Sequence, residues 1–220
     1  MPGMTALCNV LFDLDGTLVD SRQTIVVSIQ HALDLMGLPA QATRVERLVG
    51  RPLYDIFREN YGLSRQHAFE AIDAYRDHYD GLNQAGTRVY DGVREGLSEL
   101  QSAGFDLYVA TVKPTAIADK VLRDLGLRPH FTGVAGASMG PERRDKRRII
   151  AWALAEFGLK PGSSMMVGDR DQDVDGARRN GLVSVGVSYG FGQAEELRKA
   201  APDHAADRFE DVVRVVMRGR

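Results

Sequence analysis

The chain has 220 residues, is 44% hydrophobic and 26% charged, and carries a formal net charge of −2. That balance excludes a disordered or fibrous chain, provides enough material for a packed core, and argues against general nucleic-acid binding. No run of roughly eighteen apolar residues marks a membrane span, and no basic segment leads into a long apolar one. The single cysteine, Cys8, lies in an apolar stretch and is expected to be a small buried hydrophobe, which fits a reducing cytoplasm.

An apolar run from Leu7 to Phe12, broken by Asn9, reads as a buried strand that ends in Asp13-Leu14-Asp15-Gly16-Thr17. Residues two apart on a strand share a side, so Asp13 and Asp15 are placed to line one pocket, with Gly16 permitting a sharp turn. A plain Asp-Gly turn explains the same letters. Ile25, Val26, Ile29, Leu33 and Met36 recur at helical spacing between Ser21 and Gly37, a cap residue at each end. Helical periodicity continues through Leu48, Ile56, Phe57, Phe69, Ile72, Tyr75 and Tyr79. Residues 20–85 therefore read as an inserted helical domain, and 1–19 with 86–220 as the main domain.

From about Thr87 short apolar strands alternate with helices, the pattern of a parallel sheet with crossover helices. Expected elements are a helix over Asp91–Ala103, a strand over Phe105–Ala110, a helix beginning within Thr111–Pro114 and reaching Leu125, and a weak strand over 132–137. A helix over Lys146–Phe157, strands over Ser164–Val167 and Leu182–Val187, and a closing helix over Phe209–Met217 complete the series. The fold class is α/β, a Rossmann-like parallel sheet carrying a small helical insert.

Strand ends carry the polar residues. Ala110 gives way to Thr111 and Lys113, and Val167 to Gly168-Asp169-Arg170-Asp171-Gln172-Asp173, while Lys146 precedes a helix. In an open parallel sheet the carboxyl ends of the strands share one edge, where ligands bind. Strand-end acids, a hydroxyl and ammonium groups gathered there suit magnesium-assisted phosphoryl transfer. Each piece also has a plainer reading: Thr111 as a helix cap, Lys113 as a solvated lysine, and Lys146 as part of the charged face Arg143–Arg148.

Taken in this order, Asp13-Leu-Asp15-Gly-Thr17, Thr111, Lys146 and Gly168-Asp169 with Asp173 resemble the four motifs of the haloacid dehalogenase superfamily of phosphohydrolases. The helical insert, with Gly50-Arg-Pro52-Leu, Arg144-Asp-Lys146 and Gly168-Asp-Arg170, is similar to its phosphoglycolate phosphatase branch. The resemblance implies Asp13 as the nucleophile forming an aspartyl phosphate, and Asp15 as the general acid and then base, with a raised pKa. It implies Mg2+ held by Asp13, the Asp15 carbonyl, Asp169 and Asp173. It also implies phosphoryl contacts from Thr111, Lys146 and the amides of Gly16 and Thr17, with Lys113 near the phosphate. The insert is then a specificity cap in which Arg51 faces the substrate, with Arg22 and Tyr54 as weaker candidates. The implied partner is a small phosphoester, with neither nucleic acid nor membrane, and the protein is a monomer or homodimer.

Other activities on the same core are a 5'-nucleotidase, a pyrophosphatase or a phosphoglucomutase. Two non-enzymatic readings compete. Asp171-Gln-Asp173-Val-Asp175-Gly176 fits half of an EF-hand loop, but its twelfth position is Leu182 where a glutamate is needed. A receiver-like switch shares the acid, Thr and Lys set but occupies a single small domain of roughly 120 residues, with no insert.

Overall fold

The computed structural model describes residues 6–82, 85–138 and 142–220. The chain divides into two compact units, one holding the residues up to Val19 together with Val89–Arg220, the other Asp20–Arg88. Two short strands, β2 (Val19–Asp20) and β3 (Arg88–Val89), mark the chain crossings.

The first unit is built on a six-stranded parallel sheet in the order β5-β4-β1-β6-β7-β8. These strands are β1 (Asn9–Phe12), β4 (Asp106–Pro114), β5 (Gly133–Ala137), β6 (Ser164–Gly168), β7 (Val183–Val187) and β8 (His204–Ala206). Its helices are α5 (Val93–Ser102), α6 (Thr115–Asp124), α7 (Lys146–Glu156), α8 (Asp171–Arg179), α9 (Ala194–Ala200) and α10 (Phe209–Arg218). The central strand β1 is continuously apolar because both faces are covered: Val10, Leu11 and Phe12 are fully buried. Side-chain alternation sends Leu11 into a cluster with Tyr108, Met166, Ile149 and Ile150. Phe12 points the other way and stacks on Phe209 at 5.8 Å, with Phe131 edge-on at 6.3 Å. Burying each such aromatic contributes about 1.5–3 kcal/mol, with up to about 1.5 kcal/mol more from a well-oriented ring pair.

Two expectations change. The strand expected to end at Ala110 runs on to Pro114, and α6 starts at Thr115, so Thr111 is a buried strand residue and no helix cap. The physical reason is Pro114, whose ring forces Lys113 into extended backbone; the break in β4–β5 pairing between Ala110 and Pro114 lets the strand end bend. Cys8, expected to be buried, is exposed, because the sheet begins one residue later at Asn9.

Asp20–Arg88 is predominantly helical, with α1 (Arg22–Leu35), α2 (Ala42–Glu46), α3 (Leu53–Asp55) running into a π turn over Ile56–Asn60, and α4 (Arg65–Gly81). Helix α1 buries Ile25, Ile29 and Leu33, and α4 buries Ala68, Ala71, Ile72, Tyr75 and Tyr79, each a stripe at helical spacing. Ser64 starts α4 by accepting the amide of His67 at 3.1 Å. His31 and His78 stack at 4.3 Å, and Nδ1 of His78 lies 3.0 Å from the Ser28 hydroxyl. Among the described residues no helix is long and apolar enough to cross a membrane.

Candidate active site

The site lies at the carboxyl ends of β1, β4, β6 and β7. Register sets Phe12 level with Val109 on one side and Val167 on the other, so the residues that follow emerge at a common edge. Asp13, one step beyond β1 and on the side of Leu11, turns toward α7. Its amide still donates to Val167 O at 2.9 Å. The chain then folds sharply: Gly16 adopts φ +87° and its amide donates to Val19 O at 2.8 Å. A Cβ at Gly16 would also overlap the carboxylate of Asp169, so glycine is required on both counts.

Lys146 opens α7, behind the N-cap Asp145, whose side chain accepts the Arg148 amide at 2.9 Å. A cation in the first turn of a helix opposes the helix dipole. Two carboxylates offset this: Lys146 Nζ is 2.9 Å from Asp13 Oδ1 and 2.7 Å from Asp173 Oδ1, and it donates to Ala110 O at 2.8 Å. The ammonium is only 1% exposed. Burial alone pulls its pKa down, but the fields of Asp13 and Asp173 outweigh burial and hold it above the usual lysine value. Gly176 of α8 makes room for the lysine stem, since a Cβ there would stand 3.1 Å from Lys146 Cγ.

Asp169 and Asp173 come from β6 and α8. The Arg170 amide donates to Asp173 Oδ2 at 3.0 Å, fixing that side chain in the first turn of α8. Asp169 Oδ2 accepts two amides from the loop after β7, Phe191 at 2.6 Å and Gly192 at 3.0 Å, while the Thr17 hydroxyl donates to Oδ1 at 3.4 Å. Burial, then the charges of Asp173 and Asp13, push the Asp169 pKa up to about 7, against the partial relief of the two amides. Burial raises Asp173 to about 6 although Lys146 pulls the other way.

Three buried carboxylates thus share one ammonium, an excess of negative charge in a dry place. Oxygens of Asp13, Asp169 and Asp173 lie within 4.8 Å of one another. An all-oxygen, anionic donor set of this kind suits a hard divalent cation such as Mg2+.

The remaining candidates divide. Lys113 reaches Asp15, with Nζ 2.8 Å from Oδ2. Thr111 sits buried in β4, its hydroxyl oxygen 3.3 Å from the Lys113 amide. Arg51 is an exposed residue of the other unit, in the turn before α3, and the cluster is assembled without it. Asp171 and Asp175 are exposed: Asp171 accepts the Gln172 amide and Asp175 pairs with Arg179 at 2.7 Å. Since Asp171–Arg179 is helix α8, this stretch is not an EF-hand loop. Sequence reasoning missed the loop at Tyr189–Gly192. The available signal was Gly190-Phe-Gly192 just after a strand, on the edge already predicted to bind ligand.

The profile of the family described as haloacid dehalogenase-like hydrolase matches residues 10–187. The chain is 39% identical over 197 residues to a 5'-nucleotidase from Pseudomonas aeruginosa, covering 89% of each chain. It is 40% identical over 193 residues to a tyrosine-protein kinase, PtkA, from Mycobacterium tuberculosis, covering 87% of this chain and 66% of that one. It is 30% identical over 217 residues to a phosphoglycolate phosphatase from Vibrio vulnificus, covering 94% and 95%. The crystal structure of a predicted phosphatase from Clostridium acetobutylicum superposes with a TM-score of 0.91 at 34% identity, covering 97% of this chain and 100% of that one. The chain belongs to the haloacid dehalogenase-like hydrolases, as an enzyme of the phosphatase type.

Proposed function

We propose that this enzyme is a magnesium-dependent phosphomonoesterase that acts on a small phosphorylated metabolite through an aspartyl phosphate on Asp13. The observation that carries this reading is the buried Lys146 ammonium, which joins Asp13 to Asp173 beside Asp169. Asp13 Oδ1 is held by Lys146 and by the Leu14 amide at 2.7 Å, which fixes the carboxylate plane and leaves Oδ2 to attack phosphorus. As the P–O ester bond breaks, Asp15 delivers a proton to the departing alkoxide. Water then attacks the acyl phosphate, Asp15 takes its proton back, and inorganic phosphate leaves with Asp13 regenerated. Lys113, on Oδ2 of Asp15, orients that acid. The Thr111 hydroxyl is a donor for the phosphoryl oxygens; the amides of Gly16 and Thr17, expected to join it, are instead taken up by the turn, donating to Val19 O at 2.8 Å and to Leu14 O at 3.3 Å. Asp13, the Asp15 carbonyl, Asp169 and Asp173 hold Mg2+, which supplies charge neutralisation on the phosphoryl group.

Asp20–Arg88 serves as the cap that sets specificity. Within it a cavity of about 540 Å3 is lined by Arg22, Gln23, Val26, Glu46 and Arg88, a mixed polar and apolar surface. With Arg51 as a further cation, a carboxylated substrate of the 2-phosphoglycolate kind fits. A second reading, a nucleoside 5'-monophosphate, is favoured by the 39% identical 5'-nucleotidase.

The test is phosphate release from a panel of 2-phosphoglycolate, nucleoside monophosphates, sugar phosphates, pyrophosphate and phosphotyrosine, with Mg2+ or with EDTA. Magnesium-dependent turnover of one small phosphomonoester is expected. Absence of phosphate release from every compound, or full activity in EDTA, overturns the proposal.

A further inference from the structure

The loop that follows β7, Ser188–Gly192, closes around Asp169 more tightly than any need of its own backbone explains. Phe191 and Gly192 aim consecutive amides at the same oxygen, Asp169 Oδ2, at 2.6 and 3.0 Å. A Cβ at Gly190 would overlap the Asp169 side chain and the Gly16 carbonyl, and one at Gly192 would overlap the Asp169 carbonyl. Neither glycine has the left-handed backbone found at Gly16, so close approach is what demands them. Tyr189 ties the loop to the first turn of the site: its hydroxyl donates to Thr17 O at 2.9 Å, and its ring stands edge-on to Tyr90 at 5.0 Å.

We propose that loop 188–192 is a positioning collar for Asp169, which consumes Oδ2 so that this residue meets a divalent cation through Oδ1 alone. The proposal rests on the reading of Asp169 as a metal ligand and adds to it a stereochemical assignment and four positioning residues, Tyr189, Gly190, Phe191 and Gly192. A carboxylate gripped on one oxygen by two amides cannot rotate to chelate through both. It offers one lone pair in a fixed direction, which suits the strict octahedral demand of Mg2+ better than the looser shell of Ca2+. Thr17 completes the arrangement, because its hydroxyl faces Oδ1 and its carbonyl anchors Tyr189.

The experiment is calorimetric titration of the metal-free full chain with Mn2+ and Mg2+, run on wild type, Asp169→Asn, Tyr189→Phe and Gly192→Ala, with urea unfolding of each variant in EDTA. Wild type is expected to bind one ion and Asp169→Asn to lose binding. Both loop variants should bind about 10–100-fold more weakly, the range typical for groups that orient metal ligands. A loop with only a structural role would lower metal-free stability and leave the dissociation constant unchanged. Unchanged affinity in Tyr189→Phe, which removes only the hydroxyl that ties the loop to Thr17, overturns the collar whether or not Gly192→Ala folds. Failure of the wild type to bind metal overturns instead the reading of Asp169 on which the collar depends.

Discussion

Lys113 and Asp15 form a largely buried ion pair, Nζ to Oδ2 at 2.8 Å, with side chains 8% and 14% exposed. The lysine expected beside the phosphate therefore already holds the residue proposed to shuttle the proton. Lys113→Gln should lower kcat by about tenfold or more with little change in KM, since orientation of a general acid matters mainly in the transition state. Steady-state kinetics check this; a rise in KM alone would return Lys113 to phosphate binding.

Asp13→Asn should reduce turnover to background, because an amide does not form the acyl phosphate. Its fold should survive, and the metal-free variant should be at least as stable as wild type at pH 8, since Asp13 repels Asp169 and Asp173. Phosphate release and urea unfolding on the same preparation separate the two effects.

Lys146→Met leaves Asp13 and Asp173 buried against an apolar side chain. Breaking a buried pair in this way costs about 3–5 kcal/mol. Adding Asp173→Asn should recover part of that stability but no activity, and a double-mutant cycle in urea measures the coupling.

The raised carboxylates set a pH trend in the metal-free protein. Asp169 and Asp173 take up protons more readily folded, at about 7 and about 6, than at the ordinary 3.8. Their contribution to stability is fully present below the ordinary value and is lost as pH rises through 6 to 7. Wild type in EDTA should therefore lose stability relative to Asp169→Asn between pH 5 and pH 8, as Asp169 gives up its proton near pH 7. Added Mg2+ should raise Tm more at pH 8 than at pH 6, because binding displaces those protons. Differential scanning calorimetry at the two pH values tests both statements.

In the helical unit the sign reverses. Burial first, then His31, lowers the pKa of His78, so its contribution is present above the ordinary histidine value of 6.5 and is lost as pH falls below it. Amide exchange along α1 and α4 should accelerate at pH 5.5 relative to pH 7.5, after correction for intrinsic rates, and His78→Gln should flatten the difference.

Periodicity made much of the fold readable, whereas an Asp-Gly turn alone explains Asp13-Leu14-Asp15-Gly16, and the candidate site is legible only when the four strand-end and helix-end clusters are taken together in their order. Among the cations between Arg143 and Arg148, only the family resemblance singles out Lys146 in the sequence. What distinguishes it is its place in the first turn of α7, over Gly176, and that is a tertiary fact. The extension of β4 past Ala110 is written in Pro114, which both precedes the first residue of α6 and holds Lys113 in extended backbone. The collar stayed hidden because it acts through backbone amides, which every residue possesses, and only the glycines that let them approach leave a trace in the letters.

The central position of β1 also bears on how the chain reaches this structure. Asn9 pairs with Asp106 and with Ser164, so β1 is synthesised well ahead of both strands that flank it. Asp20–Arg88, contiguous in sequence and rich in local helical contacts, is complete before either of those two strands. During synthesis the segment Val10–Phe12 is an unpaired apolar edge waiting for neighbours. This exposes the nascent protein, more than the finished one, to aggregation.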